Sequence, residues 1–593
     1  MGATITAGIL VVTMALLVSG RVRIDVVGVV ALSLVGIFHL VPTGELFSGF
    51  SSYAAIILAE MFVLSEGLRR SGATDVMASW FERLGKKGEP FLLTALMALP
   101  PVPSSFVSDV GLMSIFLPTM VRIRQRLKVS LHRLLMPLAF AIALGGLLSM
   151  IGSAGNIIGN STLASSHYPS IPLFGITPLG VILVVTGYFF MRLWGVKRLP
   201  AGDKEDEFLT DYEEVKSYMG EVYVSLDSSF IGKPLHEVSF FRQHHLTVLR
   251  VIRNDHPAIM PGAYDTLEAG DRLIIQGTQQ AMLALMAEDG FETVAADRRS
   301  LRLRNEGVHV LEAMVPQNST MVNHSLRELN FRGRFGVTVL AILRQGVTRV
   351  QELPEINLSV GDVLLVMAAN EAITRLQRSE DLIVLSDVDR TTSVSSRHRF
   401  IAVGVMFSVL LLAALNVLAI QVAAAAGIGV LVLSRVISLD QAYRAIDWRI
   451  ITLVGGVTPL SLALTRTGVT VAISHTLLHL FGPLGPYAML TVFFVLAAAL
   501  TQVVSNVAAA LMLSPLAVSV AASNHWSPDG LIISMIVALS AAPITPLANK
   551  VFIMTMGPGH YKYQDFFKIG LPLTLVMCVL TVVITPILFP FSG

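Results

Sequence analysis

The sequence predicts a polytopic α-helical membrane protein made of two related, inverted halves, with two small α/β domains in tandem between them. Three observations carry that fold class. The 593-residue chain is 53% hydrophobic and only 14% charged, and its mean hydropathy is +0.68, well outside the range of a soluble protein of this size. A short polar motif inside apolar flanks recurs 397 residues along the chain, and a second pattern recurs inside the middle segment at an offset of 91.

Apolar runs of about 20 residues, long enough to span a bilayer, occupy both ends. They include Thr4–Gly20, Ile24–Val41, Ile171–Leu193, Ile401–Ile420 and Phe566–Phe589. The opening run lacks a basic leader and an A-x-A-like exit, and Arg21 and Arg23 follow it. It reads as a first spanning helix rather than a cleaved signal. Glu60 and Glu66 fall on the third span, and an intramembrane acid is a functional candidate by default. Glu60 is the stronger of the two, because Glu66 stands close to the Arg69–Arg70 end. The single cysteine, Cys578, lies in the last apolar run and leaves no disulfide or cysteine–metal framework.

The duplicated motif sets the architecture of the halves. Ser104, Ser108, Asp109 and Pro118 return as Thr501, Ser505, Asn506 and Pro515, all at the same offset. Leu68–Gly72 corresponds to Leu464–Gly468, and Ile151–Asn156 to Ile544–Asn549. Each half therefore reads as two or three spans, a short amphipathic helix, a hairpin with the motif at its tip, and two further helices, the first of them broken. The segment closing the first hairpin, Arg122–Lys128 with Arg133, is strongly basic and belongs in the cytoplasm. Its counterpart, Ala522–Asp529, has no Lys or Arg and belongs outside. The halves, residues 1–195 and 398–593, are then inverted, the arrangement of secondary transporters, with residues from about 197 to 398 in the cytoplasm.

That middle segment is dense in charge and in short alternating strands. Leu235–Phe240 returns as Leu326–Phe331, Leu246–Leu249 as Val337–Leu340, Arg253 as Arg344, and Gly270-Asp271 as Gly361-Asp362. Two copies of one module are expected, over residues 208–296 and 305–390.

A hairpin that enters a membrane without crossing it exposes backbone at its tip, which is tolerated only where the tip is buried or lines a wet cavity. Helix N-termini meeting there attract anions. Ser108-Asp109-Val110 and Ser505-Asn506-Val507 occupy the tips, while Gly152-Ser153-Ala154-Gly155-Asn156 and Thr545-Pro546-Leu547-Ala548-Asn549 occupy the helix breaks. Carbonyl, hydroxyl and amide oxygens suit a small hard cation, so an anion held beside one or two cations fits this chemistry.

These motifs resemble those of the divalent anion:sodium symporter family across roughly residues 24–193 and 399–592. The middle pair resembles RCK C-terminal (TrkA-C-type) regulatory domains, marked by Gly270, Asp271, Gly361 and Asp362 with Arg253 and Arg344. The resemblance implies a homodimer in a bacterial cytoplasmic (inner) membrane, carrying a small anion such as a dicarboxylate or sulfate by an elevator-type movement. It implies substrate contacts from Ser108, Asp109, Val110, Ser505, Asn506, Val507, Asn156, Asn549 and Lys550. It implies sodium ligands among Ser104, Ser108, Asp109, Gly152, Ser153, Thr501, Val504, Asn506 and Thr545. A proton is the alternative coupling ion, and a nucleotide is the ligand envisaged for the cytoplasmic modules.

This chain departs from the family pattern at three places. Val110 and Val507 replace threonines, Asp109 replaces an asparagine, and Lys550 follows Asn549 where a small neutral residue is usual. Asp109 and Lys550 come from opposite halves and could approach each other across the pseudo-twofold, a pairing the sequence leaves open. Lys550 would then replace or compete with the second-half cation, while Asp109 strengthens the first cation site or takes a proton. His475 and His479 read as an interfacial helix face rather than a metal pair, and His244-His245 as a solvated loop. Within transport the competing reading is an amino-acid/dicarboxylate exchanger. Outside it stands a ligand-gated cation channel or permease. A membrane sensor with a transporter-derived body is a weaker third reading. No nucleophile, nucleotide loop or nucleic-acid stripe is seen, so an enzyme is not expected.

Overall fold

In a computed structural model the chain forms two compact units, Met1–Ala201 with Ser386–Gly593, and Gly202–Leu385. The structure describes residues 2–591 apart from 20–21, 74–79, 82, 86–87, 128, 200–218, 245, 254–264, 277–284, 286–289, 294–307, 317–318, 345–346, 350–352, 370–371, 374, 377–378, 380 and 386–395. His245, Lys128 and the expected edges of the two middle modules lie outside the described residues.

The first unit is helical, and among its described residues seven helices are long and apolar enough to cross a membrane. Its first half comprises α1 (Gly2–Ser19), α2 (Ile24–Ile37), α3 (Tyr53–Arg70), α4 (Glu89–Ala98), α5 (Asp109–Leu127), α6 (Leu131–Gly145), α7 (Ala154–Ser165) and α8 (Thr177–Phe190). The second half comprises α9 (Ser396–Ala414), α10 (Ile420–Leu433), α11 (Trp448–Arg466), α12 (Val469–Phe481), α13 (Pro486–Thr501), α14 (Asn506–Ser523), α15 (Asp529–Ala541), α16 (Lys550–Met556) and α17 (Tyr563–Leu588).

Packing exchanges between the halves as a twofold repeat requires. Helix α2 packs on α11 while its counterpart α10 packs on α3, and α1 meets α11 while α9 meets α3. Likewise α7 lies on α14 and α16 on α5. The α2–α11 crossing is close because both helices present glycine: a Cβ on Gly28 would sit 2.8 Å from the Thr452 carbonyl oxygen, and Gly456 faces Gly28 in return.

Helices α6 and α15 form the centre. Every residue of α6 but Arg133 is buried, as is every residue of α15 after Asp529, consistent with their apolar character on all faces. By contrast α1, α8, α9 and α17 leave most of their apolar surface outward, the side expected to meet lipid.

Both broken helices are present. After α6 a 3-10 turn at Gly146–Leu148 and an irregular stretch precede α7, and after α15 a 3-10 turn at Pro546–Ala548 precedes α16. Each hairpin tip is the gap before α5 or α14, where a serine begins the next helix: the Gly111 N–H donates to Ser108 Oγ and the Ala508 N–H to Ser505 Oγ, both at 3.3 Å.

The second unit holds two antiparallel sheets. The first comprises β1 (Met219–Val224), β2 (Thr247–Ile252), β3 (Arg272–Gln276) and β4 (Phe291–Thr293), in the order β2-β3-β1-β4. The other comprises β5 (Val308–Met314), β6 (Val337–Arg344), β7 (Val347–Arg349), β8 (Val363–Ala369) and β9 (Ile383–Val384), in the order β7-β6-β8-β5-β9. Removing the edge strand β7 leaves the same order. The register irregularity at Val248/Arg250 returns at Val339/Ala341, and the bridge Pro234–Thr266 returns as Ser325–Asn357. Both pairs stand 91 residues apart.

The repeated Arg and Asp form the same clamp in each sheet. Arg253 donates Nε and Nη2 to the two carboxylate oxygens of Asp271, each at 2.8 Å, and Nη2 also reaches the Thr266 carbonyl at 2.9 Å. Arg344 grips Asp362 at 2.8 and 2.6 Å and the Asn357 carbonyl at 2.6 Å. Hydrogen bonding to these fully buried carboxylates holds both guanidinium groups above their ordinary pKa. A fork-to-fork pair of this geometry fixes the strand β2 or β6 to the Gly-Asp turn before the next strand.

Candidate functional site

The two tips are built alike. Ser104 Oγ donates to Asp109 Oδ1 at 3.0 Å, and Thr501 Oγ1 donates to Asn506 Oδ1. In both, the hydroxyl at the end of the first hairpin arm holds the first side chain of the second arm. The Ser104 hydroxyl also lies 2.5 Å from the Ile142 carbonyl of α6, so the first tip is tied to the helix that breaks next.

Both tips converge on the second break. Asn549 Nδ2 donates to Asp109 Oδ2 at 3.2 Å, joining the second half to the first. One residue earlier, the Ala548 carbonyl oxygen lies 3.4 Å from Thr501 Oγ1. Asn549 caps α16: its Oδ1 accepts from the Val551 N–H at 3.1 Å, leaving the amide hydrogens for Asp109. The buried Thr545 Oγ1 in the same break has no hydrogen-bond partner among the described residues. A hydroxyl, a carboxylate, an amide oxygen and backbone carbonyls form an all-oxygen donor set, which suits a small hard cation.

The first break is arranged differently. Asn156 is fully buried and donates Nδ2 to the carbonyls of Gly146 and Ser149 at 2.8 and 2.9 Å. Its Oδ1 accepts from Ser153 Oγ at 2.8 Å. The Asn156 amide thus closes its own helix break. Ser149 Oγ in turn donates to the Ser105 carbonyl at 2.6 Å, stitching this break to the first tip.

Asp109 and Lys550 have different partners here. Asp109 is held by Ser104 and Asn549, whereas Lys550 Nζ lies 3.9 Å from Asp447 Oδ2 at the start of α11. Asn549 has an extended backbone, φ −146° and ψ 141°, so successive side chains leave the chain in divergent directions. Lys550 makes an ion pair beyond hydrogen-bond reach and remains available to a further acceptor.

Of the remaining predicted residues, Val504 and Val507 are buried, while Val110, Gly152, Ser153, Ser108 and Ser505 are half-buried. Glu66 is gripped by Arg69 at 2.5 and 2.7 Å and by Arg70 at 2.5 Å, a structural use at the end of α3. Glu60 Oε2 is buried with no hydrogen-bond partner among the described residues. His475 and His479 are exposed on α12.

Gln502 was not singled out by sequence reasoning. Its Nε2 donates to the carbonyls of Ala498 and Ala542 at 2.8 and 2.9 Å, and its Oε1 accepts from the Thr545 N–H at 2.8 Å. It clamps the second tip to the second break. The available signal was an amide inside an apolar hairpin arm, at the position where the first repeat has Ser105.

Comparison with known proteins decides the family, for the citrate transporter model (CitMHS) matches residues 14–538. This chain belongs to the citrate transporter family. It is an integral membrane protein and a secondary transporter. An uncharacterized transporter of Synechocystis is 27% identical to it over 99% of this chain and 97% of that protein. YfbS, an uncharacterized transporter of Escherichia coli, is 28% identical over 98% of each. Sodium/sulfate cotransporter 1 of Chlamydomonas reinhardtii is 23% identical over 55% of this chain and 39% of its own length.

Proposed function

We propose that this citrate-family transporter carries a small di- or multivalent anion, a carboxylate or sulfate, in symport with sodium. The observation that carries the reading is the meeting of both tips at Ala548–Asn549, where oxygen donors from two halves surround one helix break. The sodium/sulfate cotransporter among its relatives supports sodium coupling and leaves sulfate among the substrates to test.

In this reading Ser104 and Asp109 contribute to one cation position. Thr501, Asn506, Thr545 and the carbonyls near Val504 and Ala548 contribute to the other. Sodium enters as cargo, and its charge offsets that of the anion. The N-termini of α5 and α14, opened by Ser108 and Ser505, offer N–H groups to the anion, and Lys550 adds a full positive charge. Val110 and Val507 shape the apolar wall where a hydroxyl would otherwise contact substrate. The hairpins and broken helices move together as an elevator-type body in an inner-membrane homodimer. The tandem modules act as RCK-C-like regulators that bind a small ligand such as a nucleotide.

Uptake of labelled citrate, succinate and sulfate into proteoliposomes, with sodium or potassium outside, tests the proposal. Saturable uptake of one anion that needs an inward sodium gradient is expected. Electrogenic sodium flux with no anion requirement would sink the symport reading.

A further inference from the structure

An apolar groove of about 510 Å³ runs between the end of α8 and the middle of α17, walled by Phe189, Phe190, Leu193, Trp194, Pro572 and Val576. Its shape depends on a local change in helix type. From Met191 to Gly195 the chain winds as a π-turn, closed by the Val196 N–H on the Met191 carbonyl, before a last helical turn at Val196–Arg198. A π-turn inserts a residue into the helix and turns its side chains away from the regular stripe. Here it accompanies Trp194, whose ring centre lies 5.0 Å from that of Phe190.

The last turns of this helix, which carry the Trp194 wall, are basic. Arg192, Lys197 and Arg198 are all exposed. Arg198 lies 4.3 Å over the Trp194 ring, and Arg192 leans onto the Pro90 carbonyl and Thr94 Oγ1, each at 3.3 Å. Among the described residues no carboxylate pairs with any of the three. An apolar slot on the outward face of two spanning helices, with Arg198 stacked on its Trp194 wall and, among the described residues, no carboxylate paired with Arg198 or Lys197, matches a molecule with a long hydrocarbon chain and an anionic head.

We propose that this groove is a binding site for an anionic phospholipid of the surrounding membrane. An acyl chain lies against Phe189, Leu193 and Val576, while the phosphate meets Lys197 and Arg198, the latter pre-oriented by stacking on Trp194. A zwitterionic lipid fills the slot equally well but gains less from the cations. The preference for anionic lipid should fall about fivefold for each of these charges removed.

The test uses the full chain in nanodiscs, with Trp80, Trp448 and Trp526 replaced by Phe so that Trp194 alone fluoresces. Phosphatidylglycerol brominated on its acyl chain should quench Trp194 at a lower mole fraction than equally brominated phosphatidylcholine. K197Q/R198Q should abolish the difference. Native mass spectrometry of the unsubstituted chain supplies a second measurement, in which retained phosphatidylglycerol should disappear in K197Q/R198Q. Equal quenching by both lipids overturns the proposal, as does a Trp194 shielded from both by a second copy of the chain.

Discussion

Replacing Asn549 by Asp isolates the contact that joins the two halves. Aspartate caps a helix as well as asparagine does, so the start of α16 survives. The change converts a donor 3.2 Å from Asp109 into a second carboxylate. At that separation and an effective dielectric of about 20, two unit charges repel by about 5 kcal/mol. Loss of a hydrogen bond to a charged group removes a further ~1.5–3 kcal/mol. N549D should therefore unfold at a markedly lower temperature in detergent and lose transport, with part of the stability returning at high sodium, because a cation between the carboxylates offsets the repulsion. The exchange variant D109N/N549D restores one donor and one carboxylate across the same gap. Its stability should return to within about 1 kcal/mol of the parent, giving a coupling of several kcal/mol in the double-mutant cycle. Thermal unfolding of the four proteins, followed at low and high sodium, measures it. Additive losses, with the exchange variant worse than either single substitution, would refute the direct contact.

Further substitutions probe the remaining parts of the molecule. K550Q should raise the KM for the anion by about tenfold or more, the loss of a charged hydrogen bond, while K550R retains most of the affinity; initial uptake rates against substrate concentration distinguish them. N156A leaves the carbonyls of Gly146 and Ser149 without their donor and should destabilise the chain by about 2–3 kcal/mol with little change in KM, read by thermal unfolding and uptake together. D362A removes the carboxylate that holds the partly exposed Arg344 guanidinium and the Ser359 N–H and should cost about 1.5–3 kcal/mol of stability in the second sheet. Hydrogen exchange should then show β6 and β8 opening while the helices keep their protection.

Much of the geometry around the candidate site was legible because the chain repeats. Matched offsets located both tips and both breaks, and the Ser104–Asp109 and Thr501–Asn506 bonds fall within the repeated pattern. The 91-residue offset likewise located the two Arg–Asp clamps and the common strand order. What the repeat did not disclose is where the two copies differ in helix phase. Asn156 and Asn549 align in sequence, yet Asn156 is the third residue of α7 whereas Asn549 precedes the first residue of α16. A shift of three positions around a helix start changes which backbone groups a side chain reaches. Lys550, the first residue of α16, pairs with Asp447. Gln502 escaped for a related reason: its partners, Ala542 and Thr545, are set by the path of the second break, which has no counterpart with the same hydrogen bonds in the first.

The difference in phase bears on specificity. A symmetric transporter site would draw one tip and one break from each half in equal measure. Here Ser153 caps α7 and frees Asn156 to turn inward, where it closes the first break. In the second break Pro546 offers no N–H and no polar side chain, so Asn549 must cap α16 itself and projects its amide toward the first tip. The asparagine of the first break is spent inside that break, whereas the asparagine of the second reaches the tip of the other half. The charge follows the same division: the carboxylate of Asp109 comes to the second break from the first half, and Lys550 and Asp447 face each other beside it. Under the proposed function, an anion arriving there would meet a lysine held by a loose ion pair, beside a carboxylate that favours a cation. Selectivity between anions should therefore follow substitutions at Asp109, Asn549, Lys550 and Asp447 and be nearly indifferent to conservative changes at Gly152 or Ser153.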